Sequence, residues 1–219
     1  MIEKKKTKHL PWKITKTIEF LKNSLLNSEI SIVSTDTILG FLGNINLESY
    51  NKIHSLKERR VKDQPFLVLI GSKEKLKNFI DITTLTPNLS KMIDQCWPGP
   101  VTLIFKAKND LPSFAKSKKN TIALRYPDHE GLLSLLKSFD GLFSTSANKT
   151  VEKAPENIDE INSDLIEKTD LLVYDEEMEK RTLPSTIIDC TNPQRLTVIR
   201  ESLFPVKKLE EYYGEKFEK

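Results

Sequence analysis

The chain has 219 residues, 38% of them hydrophobic and 30% charged, with a formal net charge of +3. That length suits one sizeable domain with its own core, the composition excludes a disordered chain, and the small charge excess does not require a polyanionic partner. Apolar runs fall short of the roughly 18 residues of a membrane span, no apolar segment follows the N-terminal lysines as a secretory signal requires, and the two cysteines, Cys96 and Cys190, make neither a disulfide framework nor a Cys-x-x-Cys site; the expected setting is the cytoplasm, with no membrane contact.

Residues 1–13 are polar and lysine-rich and read as a loosely ordered basic arm. Ile14, Ile18, Leu21, Leu25 and Leu26 then recur at helical spacing. Ile30 to Ser34 reads as a short strand and Ile38 to Leu42 as a second apolar stretch, followed by a helix from Leu47 to Lys57. Phe66 to Ile70, closed by Gly71, has the look of a strand buried on both faces. Short helices are expected near 73–80 and 87–96. The Trp97-Pro98-Gly99-Pro100 turn breaks the chain and reads as a fold feature. Strands at Val101 to Phe105 and Thr121 to Leu124 flank an exposed, lysine-rich connection over 106–119. A helix from Leu132 to Phe139 leads into the strand Gly141 to Ser144, and 156–168 reads as an acidic amphipathic helix. Strands at Leu171 to Tyr174, Ser185 to Asp189 and Leu196 to Ile199 precede a terminal helix over 205–213. Strands and helices intermix throughout, which predicts an α/β fold: a single domain with one mixed twisted sheet flanked by helices.

Three clusters carry polar chemistry, and two strand-end arginines join them. Ser34-Thr35-Asp36-Thr37 follows a strand, where open α/β sheets bind ligands; local turn hydrogen bonding explains the same residues. Lys57-Glu58-Arg59-Arg60 closes a helix whose dipole favours cations there, and is also a candidate phosphate clamp at an exposed exit. Ser144-Thr145-Ser146-Ala147-Asn148 offers three hydroxyls and an amide, either to phosphate and ribose or as a helix cap. The chain has 28 Lys and only 6 Arg, so a position that uses Arg is a candidate for forked recognition of phosphate or carboxylate. Arg125 and Arg200 both end strands and are such candidates. No His, Cys or carboxylate spacing suggests a metal cage, and no Gly-rich phosphate loop is present.

Taken together and in order, the motifs Ser34 to Thr37, Ile53 to Arg59 with Pro65, Trp97 to Pro100, Arg125-Tyr126-Pro127-Asp128-His129, Ser144 to Asn148 and Ser185 to Asp189 resemble the YrdC-like family of threonylcarbamoyl-AMP synthases, in its short single-domain form. The resemblance implies a YrdC-like domain over 14–204 with a concave, positively charged cavity, followed by a C-terminal helix and tail at 205–219. It implies an enzyme, a nucleotidyltransferase that joins L-threonine, bicarbonate or CO₂, and ATP into threonylcarbamoyl-AMP and pyrophosphate. Mg²⁺ would come with the ATP. Partner proteins that transfer the threonylcarbamoyl group would then modify adenosine 37 of tRNA, with weak tRNA contact by this chain as a further implication. Carried over position by position, Lys57 and Arg59 are the implied catalytic cations, Lys57 on the carbamate and Arg59 on the ATP phosphates. Thr35, Arg125, Ser144 and Ser185 would bind threonine or its carbamate, and Thr121, Ser146, Asn148 and Arg200 would bind ATP. The chain departs from the family pattern at Ser34, Leu39, Arg60, Thr150-Val151 and Ser202, which alters the pocket shape and the loop after Lys57. Two alternatives stand beside this: a divergent paralogue without synthase activity, and an RNA-binding module that uses the lysines of 1–13 and 106–119. Threonine-dependent stabilisation separates the synthase from the RNA binder, whose affinity for RNA would fall with salt.

Overall fold

The computed structural model describes residues 7–58, 66–176 and 183–218. Ten strands join in one sheet among these residues: β1 (Lys8–Pro11), β2 (Ser31–Val33), β3 (Gly40–Asn44), β4 (Leu67–Leu69), β5 (Val101–Lys106), β6 (Thr121–Arg125), β7 (Leu142–Ser146), β8 (Leu171–Tyr174), β9 (Thr186–Asp189) and β10 (Thr197–Arg200). Their order across the sheet is β1-β8-β2-β3-β7-β4-β6-β5-β9-β10. The sheet is mixed: β1 and β2 pair with β8, β4 with β6, and β5 with β9 in parallel, and the remaining pairs are antiparallel. Among the described residues six α-helices accompany it, α1 (Thr15–Leu26), α2 (Leu47–Leu56), α3 (Pro87–Cys96), α4 (Glu130–Leu136), α5 (Ser163–Glu167) and α6 (Val206–Tyr213).

Adjacent strand residues point to opposite faces, and this alternation divides the core in two. Phe41, Val68, Phe143 and Leu172 join one cluster with Ile53 of α2, Met92 of α3 and Leu209 of α6. Their neighbours Leu42, Leu69, Leu142 and Val173 join a second cluster with Leu21 and Leu25 of α1 and Leu132, Leu135 and Leu136 of α4. The second cluster extends over the β8-β2-β3-β7-β4 half of the sheet. On the other half, Thr121 and Ala123 of β6, Thr102 and Ile104 of β5 and Ile187 of β9 look out from the same face into a cavity. The fold is thus a single α/β domain whose sheet is covered along most of one face and over half of the other.

Local signals explain the helix starts. Asn46 accepts from the Ser49 N–H at the start of α2, and Thr86 accepts from the Leu89 N–H at the start of α3, with Pro87 in the first turn. The Trp97–Pro98 peptide is cis. Gly99 donates its N–H to Tyr126 O, and a Cβ there would lie 2.7 Å from Cys96 O, so the turn closes too tightly for a side chain.

Three expectations are corrected. The 1–13 segment is not a loose arm over its second half, because Lys8–Pro11 adds a parallel strand to the edge of β8 and Trp12 is buried. A four-residue strand is too short to stand out in a lysine-rich context, and Pro11 is acceptable on an edge. The 156–168 helix is broken into a 3₁₀ turn at Ile158–Glu160 and the short α5, because the Asn157 and Asn162 side chains each accept a backbone N–H and restart the chain. The 73–80 segment is a 3₁₀ helix over Lys73–Asn78. Among the described residues no helix is long and apolar enough to cross a membrane.

Candidate functional site

The β2–β3 turn carries the first cluster. Thr35 Oγ1 accepts from the Thr37 N–H at 3.0 Å and donates to Ile38 O at 2.8 Å, so the turn is locally bonded as its composition expects. It also reaches across to β6. Arg125 Nη1 donates to Thr37 Oγ1 at 2.7 Å, and Arg125 Nη2 lies 3.4 Å from Asp36 Oδ1. Asp36 Oδ2 accepts the Asp128 N–H at 3.1 Å. Arg125 is only 2% exposed, and its buried Nε has no hydrogen-bond partner among the described residues. Burial pulls its pKa below the ordinary arginine value, and the nearby Asp36 charge works against that shift. Asp36 is a contributor that the sequence reading grouped with the turn without assigning it a role.

The exit of α2 carries the second. Lys57 is not at an exposed exit. It is 3% exposed, and its ammonium donates to Ser146 O at 2.9 Å, Ser146 Oγ at 3.2 Å and Asn148 Oδ1 at 2.9 Å. The positive φ of Glu58 ends the helix, and the Lys57 carbonyl then accepts both the N–H and the hydroxyl of Thr150. Asn148 Nδ2 donates to Lys149 O and Glu152 O. Lys57 is therefore clasped to the loop after β7, a long-range contact that helix periodicity cannot reveal. Arg59, Arg60 and Pro65 lie outside the described residues.

The third group sits on the far strands. Ser185 Oγ is 2.7 Å from Thr102 Oγ1, and Ser185 O accepts from Arg200 Nε at 3.1 Å and Nη2 at 2.8 Å. Thr121 Oγ1 is 2.7 Å from Ser117 Oγ. Arg200 has a lowered pKa, first through burial and then through the charge of Arg125. The two guanidinium groups thus disfavour each other, and an anion between them would relieve that repulsion.

These groups meet at one cavity of about 780 Å³. Thr35, Thr121, Arg125, Ser144, Ser146, Ser185 and Arg200 all line it; Lys57 and Asn148 stand behind Ser146. The volume lies in the range of small-molecule and cofactor sites. Its lining also includes Thr37, Thr102, Lys118 and Lys119 and, among the described residues, no carboxylate. Thr102 and the two lysines were legible as a strand hydroxyl and a basic loop, but nothing in the sequence aimed them inward. Among the described residues no group of three or more His, Cys, Asp or Glu side chains is placed to hold a metal ion.

The structure is that of a single-domain α/β protein whose mixed open sheet leaves a cavity of small-molecule size on its uncovered half. The chain belongs to the Sua5/YciO/YrdC family: the model of that family, described as telomere recombination, matches residues 23–202. A Methanocaldococcus jannaschii protein provisionally named a threonylcarbamoyl-AMP synthase is 33% identical over 195 residues, 89% of each chain. A Vibrio parahaemolyticus threonylcarbamoyl-AMP synthase is 28% identical over 180 residues, covering 81% of this chain and 96% of that one. The structure of P. abyssi Sua5 complexed with L-threonine superposes with a TM-score of 0.84 at 22% identity, covering 97% of this chain but 62% of that protein. E. coli YciO superposes with a TM-score of 0.79 at 19% identity, covering 93% of this chain and 98% of that one.

Proposed function

We propose that this chain is a threonylcarbamoyl-AMP synthase working in the cytoplasm. The observation that carries the proposal is the convergence of seven of the resemblance-implied residues, drawn from five strands or strand ends, on one cavity. In the proposed reaction the threonine amine captures CO₂ as a carbamate. A carbamate oxygen attacks the α-phosphorus of ATP, and pyrophosphate leaves. Such a displacement needs alignment and charge stabilisation more than a protein nucleophile, and this cavity is rich in donors.

The roles divide along the cavity. Arg125, preset by Thr37 and Asp36, takes the threonine carboxylate, with Thr35, Ser144 and Ser185 beside it. Arg200 and Thr121 border the nucleotide. Lys57 fixes Ser146 and Asn148 toward the phosphates and carbamate, and Arg59 joins them. Mg²⁺ would arrive as MgATP, held by phosphate oxygens and water, and Arg125, Arg200, Lys118 and Lys119 at the cavity would favour anions. The product would pass to the proteins that transfer the threonylcarbamoyl group to tRNA. The RNA-binding alternative gains little support, because the Lys116 ammonium is turned onto Lys108 O and Asn109 O, and Lys118 and Lys119 border the cavity.

The test is pyrophosphate release from ATP, Mg²⁺, bicarbonate and L-threonine, with serine and no-amino-acid controls. Release that depends on both threonine and bicarbonate is the expected result. Folded protein that releases none overturns the assignment in favour of the divergent paralogue.

A further inference from the structure

Directly behind the Thr35–Thr37 turn lies a polar cluster that does not line the cavity. Ser34 Oγ accepts the Trp12 indole N–H at 3.1 Å and the Asp175 backbone N–H at 3.0 Å, and donates its own proton to Asp175 Oδ2 at 3.0 Å. The same carboxylate lies 3.2 and 3.3 Å from His129 Nε2. His129 Nδ1 accepts the Leu132 N–H at 3.2 Å as the cap of α4. The ring proton therefore sits on Nε2 and is donated to Asp175. The Trp12 and His129 rings pack with centroids 5.2 Å apart, and a Cβ on Gly131 would fall 2.5 Å from the indole, so α4 carries glycine where the ring sits.

We propose that Asp175 is a positioning residue of the threonine subsite. It clamps Ser34 at the end of β2 to His129 at the start of α4. Asp36 makes the second clamp, from the same turn to Arg125 and to the Asp128 N–H. Two carboxylates thus rivet residues 34–37 to residues 125–129 at both ends, and Arg125 sits inside the joint. If the Asp175 clamp opens, the Thr35–Thr37 turn loses its anchor, and Thr37 no longer holds the guanidinium in place. A carboxylate serves both contacts at once. Oδ2 takes the Ser34 hydroxyl and the His129 Nε2–H, and an amide that keeps its oxygen there sets its NH₂ group, in place of Oδ1, against the same Nε2–H. The ring cannot reverse its tautomer, because Nδ1 must accept from Leu132.

The kinetic consequence rests on the synthase reading; the structural consequence does not. The experiment uses Asp175→Asn and His129→Asn. The second keeps a good helix cap and removes the link to Asp175 together with the ring contact to Trp12. In both, the KM for threonine is expected to rise about 5- to 20-fold while kcat and the KM for ATP stay within about twofold, as for lost ground-state positioning. Hydrogen exchange at amides 35–37, including the Thr37 N–H bonded to Thr35 Oγ1, is expected to accelerate about tenfold or more, with α2 and α3 unchanged. Equal rises in both KM values, or exchange that accelerates across the whole fold, would overturn the proposal. If the wild-type protein shows no threonine-dependent turnover, the synthase reading fails and exchange alone decides: local acceleration at 35–37 upholds the clamp, and wild-type protection there removes it.

Discussion

Replacing Lys57 with Met keeps the buried stem and deletes the ammonium that holds the loop after β7. Ser146 O loses one donor but keeps the Asn148 N–H at 2.9 Å, whereas Asn148 Oδ1 loses the ammonium that donates to it, in a site 3% exposed at Lys57. An orphaned buried acceptor costs about 1–3 kcal/mol. One such orphan and one lost charge-assisted bond, worth about 1.5–3 kcal/mol, set the gross loss at about 2.5–6 kcal/mol, part of it returned because the buried ammonium no longer has to be desolvated. A net loss of about 2–4 kcal/mol follows, and at about 2–4 °C per kcal/mol for a chain of this size the midpoint falls by roughly 5–15 °C. Turnover should fall about 100-fold, since Ser146 and Asn148 drift from their productive positions. Calorimetry and pyrophosphate release on the same preparation test both. A double-mutant cycle with Asn148→Ala should give a coupling of about 0.5–3 kcal/mol. An exposed lysine at the helix exit would predict lost turnover at unchanged stability. A Lys57→Met protein that melts within about 1 °C of wild type would therefore refute the buried-clasp argument.

Arg125→Lys removes the fork that spans Thr37 and Asp36 and should raise the threonine KM about 10- to 100-fold with little effect on that for ATP; equal effects on both would mean the subsites are exchanged. Lys118→Gln with Lys119→Gln should lower kcat/KM for ATP several-fold at low ionic strength and flatten its salt dependence, and an unchanged salt slope would remove these lysines from nucleotide capture. Burial pushes the Cys96 thiol up to about 12 and the Cys190 thiol well above its ordinary value. Above about pH 8.5 the unfolded chain releases these protons while the folded chain keeps them, so stability should fall with rising pH by roughly 1.4 kcal/mol per unit per thiol. Denaturant titrations from about pH 8 to pH 10.5 on wild type and a Cys96→Ala, Cys190→Ala variant should show that extra slope only in wild type.

Much of the fold was legible because its signals are local. The run Phe66 to Ile70 is apolar on both parities, and β4 is indeed buried on both faces between the two clusters. Thr86-Pro87 marks the start of α3 at the residue expected. The signals failed where a distant partner decides. Lys8–Pro11 is a strand because β8 offers an open edge, and Lys57 is buried because Ser146 and Asn148 receive it. The candidate site was legible as hydroxyl and arginine clusters at strand ends. Their sidedness was less so, since it depends on which half of the sheet the helices leave uncovered. Asp175 was invisible, being one carboxylate among 31 acidic residues until His129 and Ser34 close on it.

The position of β8 between β1 and β2 bears on how the protein is made. Ile32 waits for Leu172, about 140 residues later, and at the usual 5–20 residues per second of synthesis that interval is roughly 10–30 s. During it the apolar edge of β2 has no neighbour on that side, and the N-terminal segment has nothing to pair with. The emerging chain thus presents an open strand edge to other nascent chains and to the folding machinery until Tyr174 has left the ribosome. A chain cut short anywhere before β8 would retain that exposed edge, and its fate should be aggregation or degradation in place of a smaller working domain.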